Sequence, residues 1–190
     1  MYCGCNEVAQ SSQAKIAHAL ISLMERKSFS SVTISELCRE AGVSRPTFYS
    51  LFDSLEDVVR YILQASYCYK PEPEPTEESS ITVFCRGYSR YISENRDFLS
   101  LLMRNGLLQV LYQSIEESLT GCGCFLASAD PGLRGYAAHF AAGGLVGFIQ
   151  NYTVGDACSE EAMISILQQL FSGRFFMDHS GNDPSGAVLL

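Results

Sequence analysis

The sequence predicts an all-α protein of about nine helices, in which a small helix-turn-helix module at the N-terminus precedes a larger helical body. Two observations lead to this prediction. Apolar residues recur at helical spacing in most segments of the chain, and Ser, Thr, Asn and Asp stand in front of several of these segments as helix caps. The length of 190 residues and the hydrophobic content of 47% are sufficient for a sizeable folded core.

The most informative stretch is residues 33–55, which predicts two short helices joined by a tight corner. The first helix begins at Thr33 and carries an apolar stripe at Ile34, Leu37, Cys38 and Ala41. Gly42 can adopt the positive φ that ends a helix, and Ser44 is a favourable cap for a second helix that begins at Arg45. Two helices joined in this way form a helix-turn-helix, whose second helix normally enters the major groove of DNA.

The second helix is predicted to have one face in the core and one face available to DNA. The spacing directs to the core Phe48, Leu51 and Phe52. The residues left for DNA or solvent are Arg45, Pro46, Thr47, Tyr49 and Ser50. Arg45 can bond guanine O6 and N7 together, Thr47 can touch a thymine methyl or a phosphate, and the Tyr49 hydroxyl suits a phosphate oxygen. On an isolated helix these residues would be a solvated face, so the assignment to DNA depends on the motif.

Residues 32–58, VTISELCREAGVSRPTFYSLFDSLEDV, resemble the DNA-binding signature of the TetR-type bacterial regulators, from the start of the second helix into the fourth. The resemblance implies that the Thr33 hydroxyl and the first amides of its helix contact a phosphate, and we place Ser44 and Lys27 at the same surface. It also implies a homodimer on a near-palindromic double-stranded DNA operator, usually a repressor, whose binding responds to a small-molecule effector that the sequence does not identify.

Two features lower the expected affinity for DNA and keep a second interpretation open. Where the family usually has a lysine at the start of its fourth helix, this chain has Leu55. The net charge is −8, and residues 1–60 hold six basic against seven acidic side chains, so they contribute −1 and the other 130 residues −7. The alternative is a coactivator or adaptor of the same fold that binds a protein partner and recognises operator DNA weakly or not at all.

The predicted domain limits are a flexible arm at residues 1–10, the helix-turn-helix domain at 11–53, a helical regulatory and dimerisation domain at 54–172, and a disordered tail at 173–190. The first helix is expected to start at Ser11 or Ser12 and the fourth to be capped by Ser54. A Pro- and Glu-rich segment and a Gly-Cys-Gly-Cys turn interrupt the body at residues 70–80 and 121–124. Its helices are predicted at 81–93, after Asn95, at 106–119, at 130–152 and after Ser159.

The helix at residues 136–150 is rich in small residues, including three glycines that each cost about 1 kcal/mol relative to alanine. Close approach of another helix would explain them, and by resemblance the last two helices pair with their copies in a second subunit. The expected dimer interface contains Ala137, Ala141, Gly144, Phe148, Met163, Ile166 and Leu170. Together with residues 90–98, this helix also resembles a regulatory-domain subtype that is frequent in Firmicutes.

Aromatic side chains of the body are candidates for the lining of an effector pocket, although the same residues could simply fill a core. The candidates are Tyr88, Tyr91, Phe98, Tyr112, Tyr136 and Phe140. No catalytic motif accompanies them, so we expect no enzymatic activity and no cofactor.

The eight cysteines are expected to be thiols in a reducing compartment. The pairs Cys3/Cys5 and Cys122/Cys124 lack the two-residue gap of a zinc site, so we expect no functional metal. No run of residues is long and apolar enough to span a membrane, and the N-terminus does not read as a signal peptide. The expected location is the cytoplasm.

Overall fold

The computed structural model describes residues 7–66, 80–121, 130–154 and 158–172, and the regular structure of these residues is entirely helical. The all-α prediction is thereby confirmed. The helices of the described residues are α1 (Glu7–Arg26), α2 (Ile34–Ala41), α3 (Arg45–Leu51), α4 (Leu55–Ser66), α5 (Ser80–Glu94), α6 (Arg96–Arg104), α7 (Leu108–Gly121), α8 (Pro131–Val154) and α9 (Glu160–Phe171). A short 3-10 turn, Phe29–Ser31, lies between α1 and α2.

The chain forms two compact units. In the first unit, α1 packs against α2, α3, α4 and α6, while α7 packs against α4 and α8. Because α4 contacts both α1 and α7, this unit continues past residue 53, where the sequence analysis placed a domain limit. The second unit is built by α5 and α9, which pack against each other.

Helix α1 begins earlier than the sequence analysis predicted. The expected start was Ser11 or Ser12, whereas α1 begins at Glu7. The Ser12 hydroxyl donates to the Val8 carbonyl oxygen at 2.9 Å, which is the bond of a serine inside a helix rather than of a cap. Glu7 places a negative charge in the first turn, where the helix dipole favours it. Residues 7–10 therefore belong to α1 and not to a flexible arm.

The core around the helix-turn-helix consists of the apolar residues that the helical spacing selected. The buried side chains include Ile16, Leu20, Leu23, Leu37, Phe48, Phe52, Val58 and Leu63. Burying each of them contributes about 1.5–3 kcal/mol, and together they hold α2 and α3 on α1 and α4. The predicted cap of α4 is also confirmed, because the Ser54 hydroxyl accepts from the Asp57 N–H and the Asp57 carboxylate accepts from the Ser54 N–H, both at 3.1 Å.

The second unit is fixed by contacts near the start of α5 and the end of α9. The Phe84 and Phe171 rings meet edge to face with their centroids 5.3 Å apart, and the Gln168 amide donates to the Thr82 hydroxyl at 3.1 Å. Ser159 caps α9 as predicted, since its hydroxyl accepts from the Ala162 N–H at 3.2 Å.

Several predicted features lie outside the described residues: the first six residues with Cys3 and Cys5, nearly all of the Pro- and Glu-rich segment, the Cys122/Cys124 turn and the C-terminal tail. No helix in the described part of the chain combines the length and apolarity needed to cross a membrane.

Candidate nucleic-acid interface

The corner between α2 and α3 has the geometry that its sequence predicts. Gly42 has φ +67°, and the Val43 N–H donates to the Cys38 carbonyl oxygen at 3.0 Å, which closes α2 in a Schellman-type turn. A Cβ atom on Gly42 would meet nothing within 4 Å, so the backbone conformation, and not the available space, favours glycine there. Ser44 is extended and caps α3 by accepting from the Thr47 N–H at 3.1 Å.

Helix α3 divides into the two faces expected from its sequence. Phe48 and Leu51 are 0% and 4% exposed, so the inward face is fully committed to the core. Arg45, Pro46 and Ser50 are exposed, and Tyr49 is 49% exposed. The Tyr49 ring packs edge to face on Phe48 with a centroid distance of 5.4 Å. The predicted contact residues thus stand on one solvent-facing side of a helix that cannot roll without unburying its core face.

The hydroxyl groups of the interface also hold its own backbone. The Thr33 hydroxyl accepts from the Glu36 N–H at 3.2 Å and so caps α2. The Ser44 and Thr47 hydroxyl oxygens lie 2.7 Å apart, so each is the other's hydrogen-bond partner. Thr33 keeps its own hydroxyl proton for a phosphate oxygen, whereas Ser44 and Thr47 can offer one free proton between them.

Lys27, which the sequence analysis placed at the DNA surface, is engaged within the protein. Its ammonium group donates to the Ser31 carbonyl oxygen at 2.9 Å and forms an ion pair with the Glu36 carboxylate. The hydrogen bond from Lys27 lowers the pKa of Glu36 below its ordinary value. The neighbouring Arg26 is paired as well, with Glu40 at 2.6 Å. The positive charges of Arg26 and Lys27 are therefore balanced by two carboxylates of α2.

Two exposed cations of the helix-turn-helix have no carboxylate within ion-pair distance among the described residues: Arg39 on α2 and Arg45 on α3. The sequence analysis selected Arg45 but not Arg39. Arg39 carries no motif signal, and its freedom from the two neighbouring ion pairs is visible only in the structure. These two arginines carry positive charge that no carboxylate among the described residues neutralises at ion-pair distance.

The residues proposed for an effector pocket belong to both units. Tyr88 and Tyr91 are buried in the second unit, at 1% and 7% exposure, whereas Phe98 and Tyr112 belong to the first unit and are partly exposed. Tyr136 and Phe140 on α8 are 80% and 71% exposed, so most of each side chain lies on the surface.

Tyr112 has a partner that the sequence analysis did not predict. Its hydroxyl lies 2.9 Å from Nδ1 of His139, and the two rings are nearly parallel, with an interplanar angle of 7° and centroids 6.3 Å apart. The pair joins α7 to α8 at the surface of the first unit, next to the exposed Phe140. In the described part of the chain, no three His, Cys, Asp or Glu side chains come together as potential metal ligands.

The residues proposed for the dimer interface differ in their access to a second copy. Ala141 and Met163 are 4% and 0% exposed within the chain, while Gly144 and Ile166 are exposed. Ala137, Phe148 and Leu170 are half-buried. On α8 one face with helical spacing contains the exposed residues Leu133, Tyr136, His139, Phe140, Gly143, Gly144, Gly147 and Gln150.

Comparisons with known proteins agree with this architecture. The family model described as bacterial regulatory proteins, tetR family, matches residues 16–62. Among solved structures, Lin0861 from Listeria innocua superposes with a TM-score of 0.75 at 15% identity, covering 90% of this chain and 95% of that chain. The dihydroxyacetone kinase operon activator DhaS superposes with a TM-score of 0.54 at 16% identity, covering 86% and 95%. At such identities the similarity shows a shared fold, and no curated protein sequence matches significantly.

The matched residues contain most of α1, the whole of the helix-turn-helix and the greater part of α4. They include the two caps Thr33 and Ser44, the left-handed Gly42, and both free arginines. The family match over residues 16–62 therefore lies on the helix-turn-helix part of the chain, and the solved structures show that the all-helical architecture is shared.

Proposed function

We propose that the protein is a homodimeric repressor that binds a near-palindromic DNA operator through α3 and is modulated by a small molecule. The observation that carries the DNA assignment is the exposed side of α3 with Arg45 and Tyr49, on a helix whose opposite face is buried in the core through Phe48 and Leu51. A recognition helix held in this way presents Arg45 at its N-terminal end, where base contacts are made in helix-turn-helix proteins.

The phosphate contacts that orient α3 are supported by groups on both helices. Thr33 stands at the exposed N-terminus of α2, where the unpaired amides of the first turn favour an anion. Arg39 adds an unpaired positive charge on α2, and Tyr49 adds a hydroxyl on α3. Lys27 is not assigned to DNA in this proposal, because Glu36 already neutralises it. The resulting interface holds few cations, so its affinity is expected to be moderate and sensitive to salt.

The homodimer is supported by the exposed face of α8. Tyr136 and Phe140 expose 80% and 71% of their surface on one side of a helix, and a contiguous apolar patch of this kind marks an interaction surface. Above Gly144 and Gly147 no atom of the described residues lies within 4 Å of an added Cβ, so a second helix could approach closely there. We therefore assign Tyr136 and Phe140 to the interface with a second copy, not to an effector pocket.

The effector response is supported by polar groups buried in the second unit. The Ser89 hydroxyl on α5 is fully buried and has no hydrogen-bond partner among the described residues. Tyr88 and Cys85 are buried on the same helix. A buried hydroxyl is costly without a partner, and a polar atom of a small organic ligand could supply that partner. Such a ligand would regulate DNA binding only if it preferred one conformation of the dimer.

The regulatory-domain subtype and the cytoplasmic location remain part of this proposal. Repression would follow from occupancy of an operator that overlaps a promoter, and a reporter gene placed behind that operator distinguishes repression from activation.

The alternative, a coactivator or adaptor, is favoured by the pairing of Arg26 and Lys27 with Glu40 and Glu36 and by the apolar Leu55 at the start of α4.

The test is repeated selection of DNA from a random-sequence pool by the full-length protein, followed by anisotropy titration of the enriched sequence. The proposal expects a two-fold symmetric consensus and an affinity that falls by about fivefold or more in Arg45→Ala. Arg90→Ala, an exposed arginine on α5 in the second unit, is the matched control and should bind as the wild type does. Equal and weak binding to every sequence would refute the regulator and leave the adaptor as the better account.

A further inference from the structure

A hydrogen bond within the first unit connects the helix-turn-helix module to the body over 76 residues of sequence. The backbone N–H of Phe29, in the 3-10 turn before α2, donates to the side-chain oxygen of Asn105 at 2.7 Å. Phe29 is the first residue of its turn, so its N–H has no partner within that turn. The bond is partly buried. Without Asn105 the Phe29 amide would therefore lack a hydrogen-bond partner at a place that water reaches only in part.

Asn105 itself is held in a fixed place at the end of α6. Its side-chain amide donates to the Leu101 carbonyl oxygen at 2.9 Å, and its backbone N–H donates to the same oxygen at 3.1 Å. The next residue, Gly106, has φ +71°, and the Leu107 N–H returns to the Leu102 carbonyl oxygen at 3.0 Å. These bonds form a Schellman-type end in which both Leu102 and Leu107 are buried. Asn105 therefore moves only when the last turn of α6 moves.

On the other side of the bond, Phe29 leads directly into the DNA-facing elements. The Val32 N–H donates to the Phe29 carbonyl oxygen at 3.0 Å, so the turn is closed immediately before the α2 cap Thr33. Lys27 ties the same turn to α2, through its bonds to the Ser31 carbonyl oxygen and to Glu36. A displacement of Phe29 is thus passed by short, bonded steps to the N-terminus of α2.

We propose that Asn105 is a positioning residue for DNA recognition, which fixes the turn before α2 to the end of α6. The inference rests on the proposed function, because a positioned α2–α3 pair matters only if the pair reads DNA. Asn105 touches no DNA in this proposal. Any change in the last turn of α6 reaches α2 through the Asn105–Phe29 bond, in addition to the route through α4, which packs on α1 and α7.

The experiment uses full-length protein and three variants. Asn105→Ala removes both side-chain bonds, whereas Asn105→Asp keeps an acceptor for the Phe29 N–H and removes only the donor to Leu101. Gln113→Ala is the control, because it removes a different polar link between helices, the 2.5 Å bond from Arg60 on α4 to α7. Two quantities are measured: amide hydrogen exchange at Phe29 by NMR, and anisotropy titration of the selected operator.

In Asn105→Ala the Phe29 amide is expected to exchange about 3- to 10-fold faster, and operator affinity should fall by a similar factor. In Asn105→Asp, both the Phe29 exchange rate and the operator affinity should return most of the way to their wild-type values. This rescue separates positioning from a general loss of stability. Gln113→Ala should leave Phe29 exchange at the wild-type rate.

Unchanged Phe29 exchange in Asn105→Ala would overturn the proposal, as would faster exchange with unchanged operator affinity. Failure of the wild-type protein to enrich any operator is a different result, because it refutes the proposed function and with it the role in DNA binding. In that case Phe29 exchange still shows whether Asn105 holds the turn, so the two failures are distinguishable.

Discussion

The Lys27 ammonium group and the Glu36 carboxylate form an ion pair beside the N-terminus of α2, next to its cap Thr33. The pair spans the 3-10 turn between α1 and α2, and Lys27 also holds that turn through the Ser31 carbonyl oxygen. Its position has two consequences. The pair stabilises the turn that leads into the helix-turn-helix, and it neutralises one positive charge of the surface that we propose for DNA.

The first prediction concerns the titration of Glu36. The hydrogen bond from Lys27 holds the Glu36 pKa below its ordinary value of 4.5, so the associated stability is present above that value and is lost as the pH falls through the lowered pKa. In Lys27→Met, the Glu36 pKa measured by NMR should rise toward 4.5. Glu161 is the control, because its pKa is lowered by the first turn of α9 and by Ser159. A Glu36 pKa that is equal in both proteins would contradict the ion pair.

The second prediction is that Glu36→Gln strengthens DNA binding. The substitution removes a negative charge from the surface and frees Lys27 for a phosphate. The affinity for the selected operator should rise about threefold or more, and the plot of log affinity against log salt should become steeper by about one unit. Glu117→Gln, which frees Arg60 on α4 in a similar way at an exposed position of α7, is the matched control. A salt slope unchanged in Glu36→Gln would show that Lys27 does not reach the DNA even when it is released.

The third prediction separates the two free arginines. Arg45→Ala should cost about 1–3 kcal/mol on the selected operator and should relax the preference at one base pair of each half-site. Arg39→Ala should weaken binding uniformly across sequences and reduce the salt slope by about one, because a phosphate contact carries no sequence information. The measurement is anisotropy titration against the operator and its single-base variants. Loss of base preference in Arg39→Ala would reverse these roles.

The helix-turn-helix could be predicted from the sequence because the contacts that define it are local. Gly42 ends α2 and Ser44 caps α3 through bonds that span only three to five residues, and the inward face of α3 follows from its spacing. The partner of Lys27 lies nine residues away across a turn, and that of Asn105 lies 76 residues away. The spacing of apolar residues along the chain does not indicate such pairs. The sequence therefore does not predict the neutralisation of Lys27 by Glu36 or the bond from Asn105 at the end of α6 to Phe29.

The exposed face of α8 could not be predicted from its sequence for a different reason. Its residues are small or apolar on nearly every side, so helical spacing does not distinguish the side that packs on α7 from the side that faces outward. Ala141 was consequently chosen for the dimer interface, although it lies in the core at 4% exposure. Tyr136 and Phe140 were chosen for a pocket, although they are exposed. Only the packing of α8 against α6 and α7 fixes its rotation about its own axis.

The fourth prediction tests the corner of the helix-turn-helix. Gly42→Ala should lower the free energy of unfolding by about 1 kcal/mol, because alanine is strained at φ +67° even though its methyl group would touch nothing. Gly135→Ala in α8 also meets nothing within 4 Å but has an ordinary helical backbone, so it should raise stability by about 0.5–1 kcal/mol. Chemical denaturation of both variants is the measurement. Equal effects of the same sign would contradict the assigned backbone conformations.

The last prediction tests the second copy of the chain on α8. Replacing Tyr136 and Phe140 together by glutamate should produce a folded monomer, since both side chains are largely exposed and four charges would face each other across a two-fold interface. Light scattering at micromolar concentration reports the mass, and circular dichroism confirms the helices. Val8→Glu, at an apolar position on α1 that is 75% exposed, is the control and should remain dimeric. A wild-type protein that is already monomeric would refute the dimer. A double variant that stays dimeric would instead show that the interface lies elsewhere than on this face of α8. Operator binding by that variant would then be expected to persist.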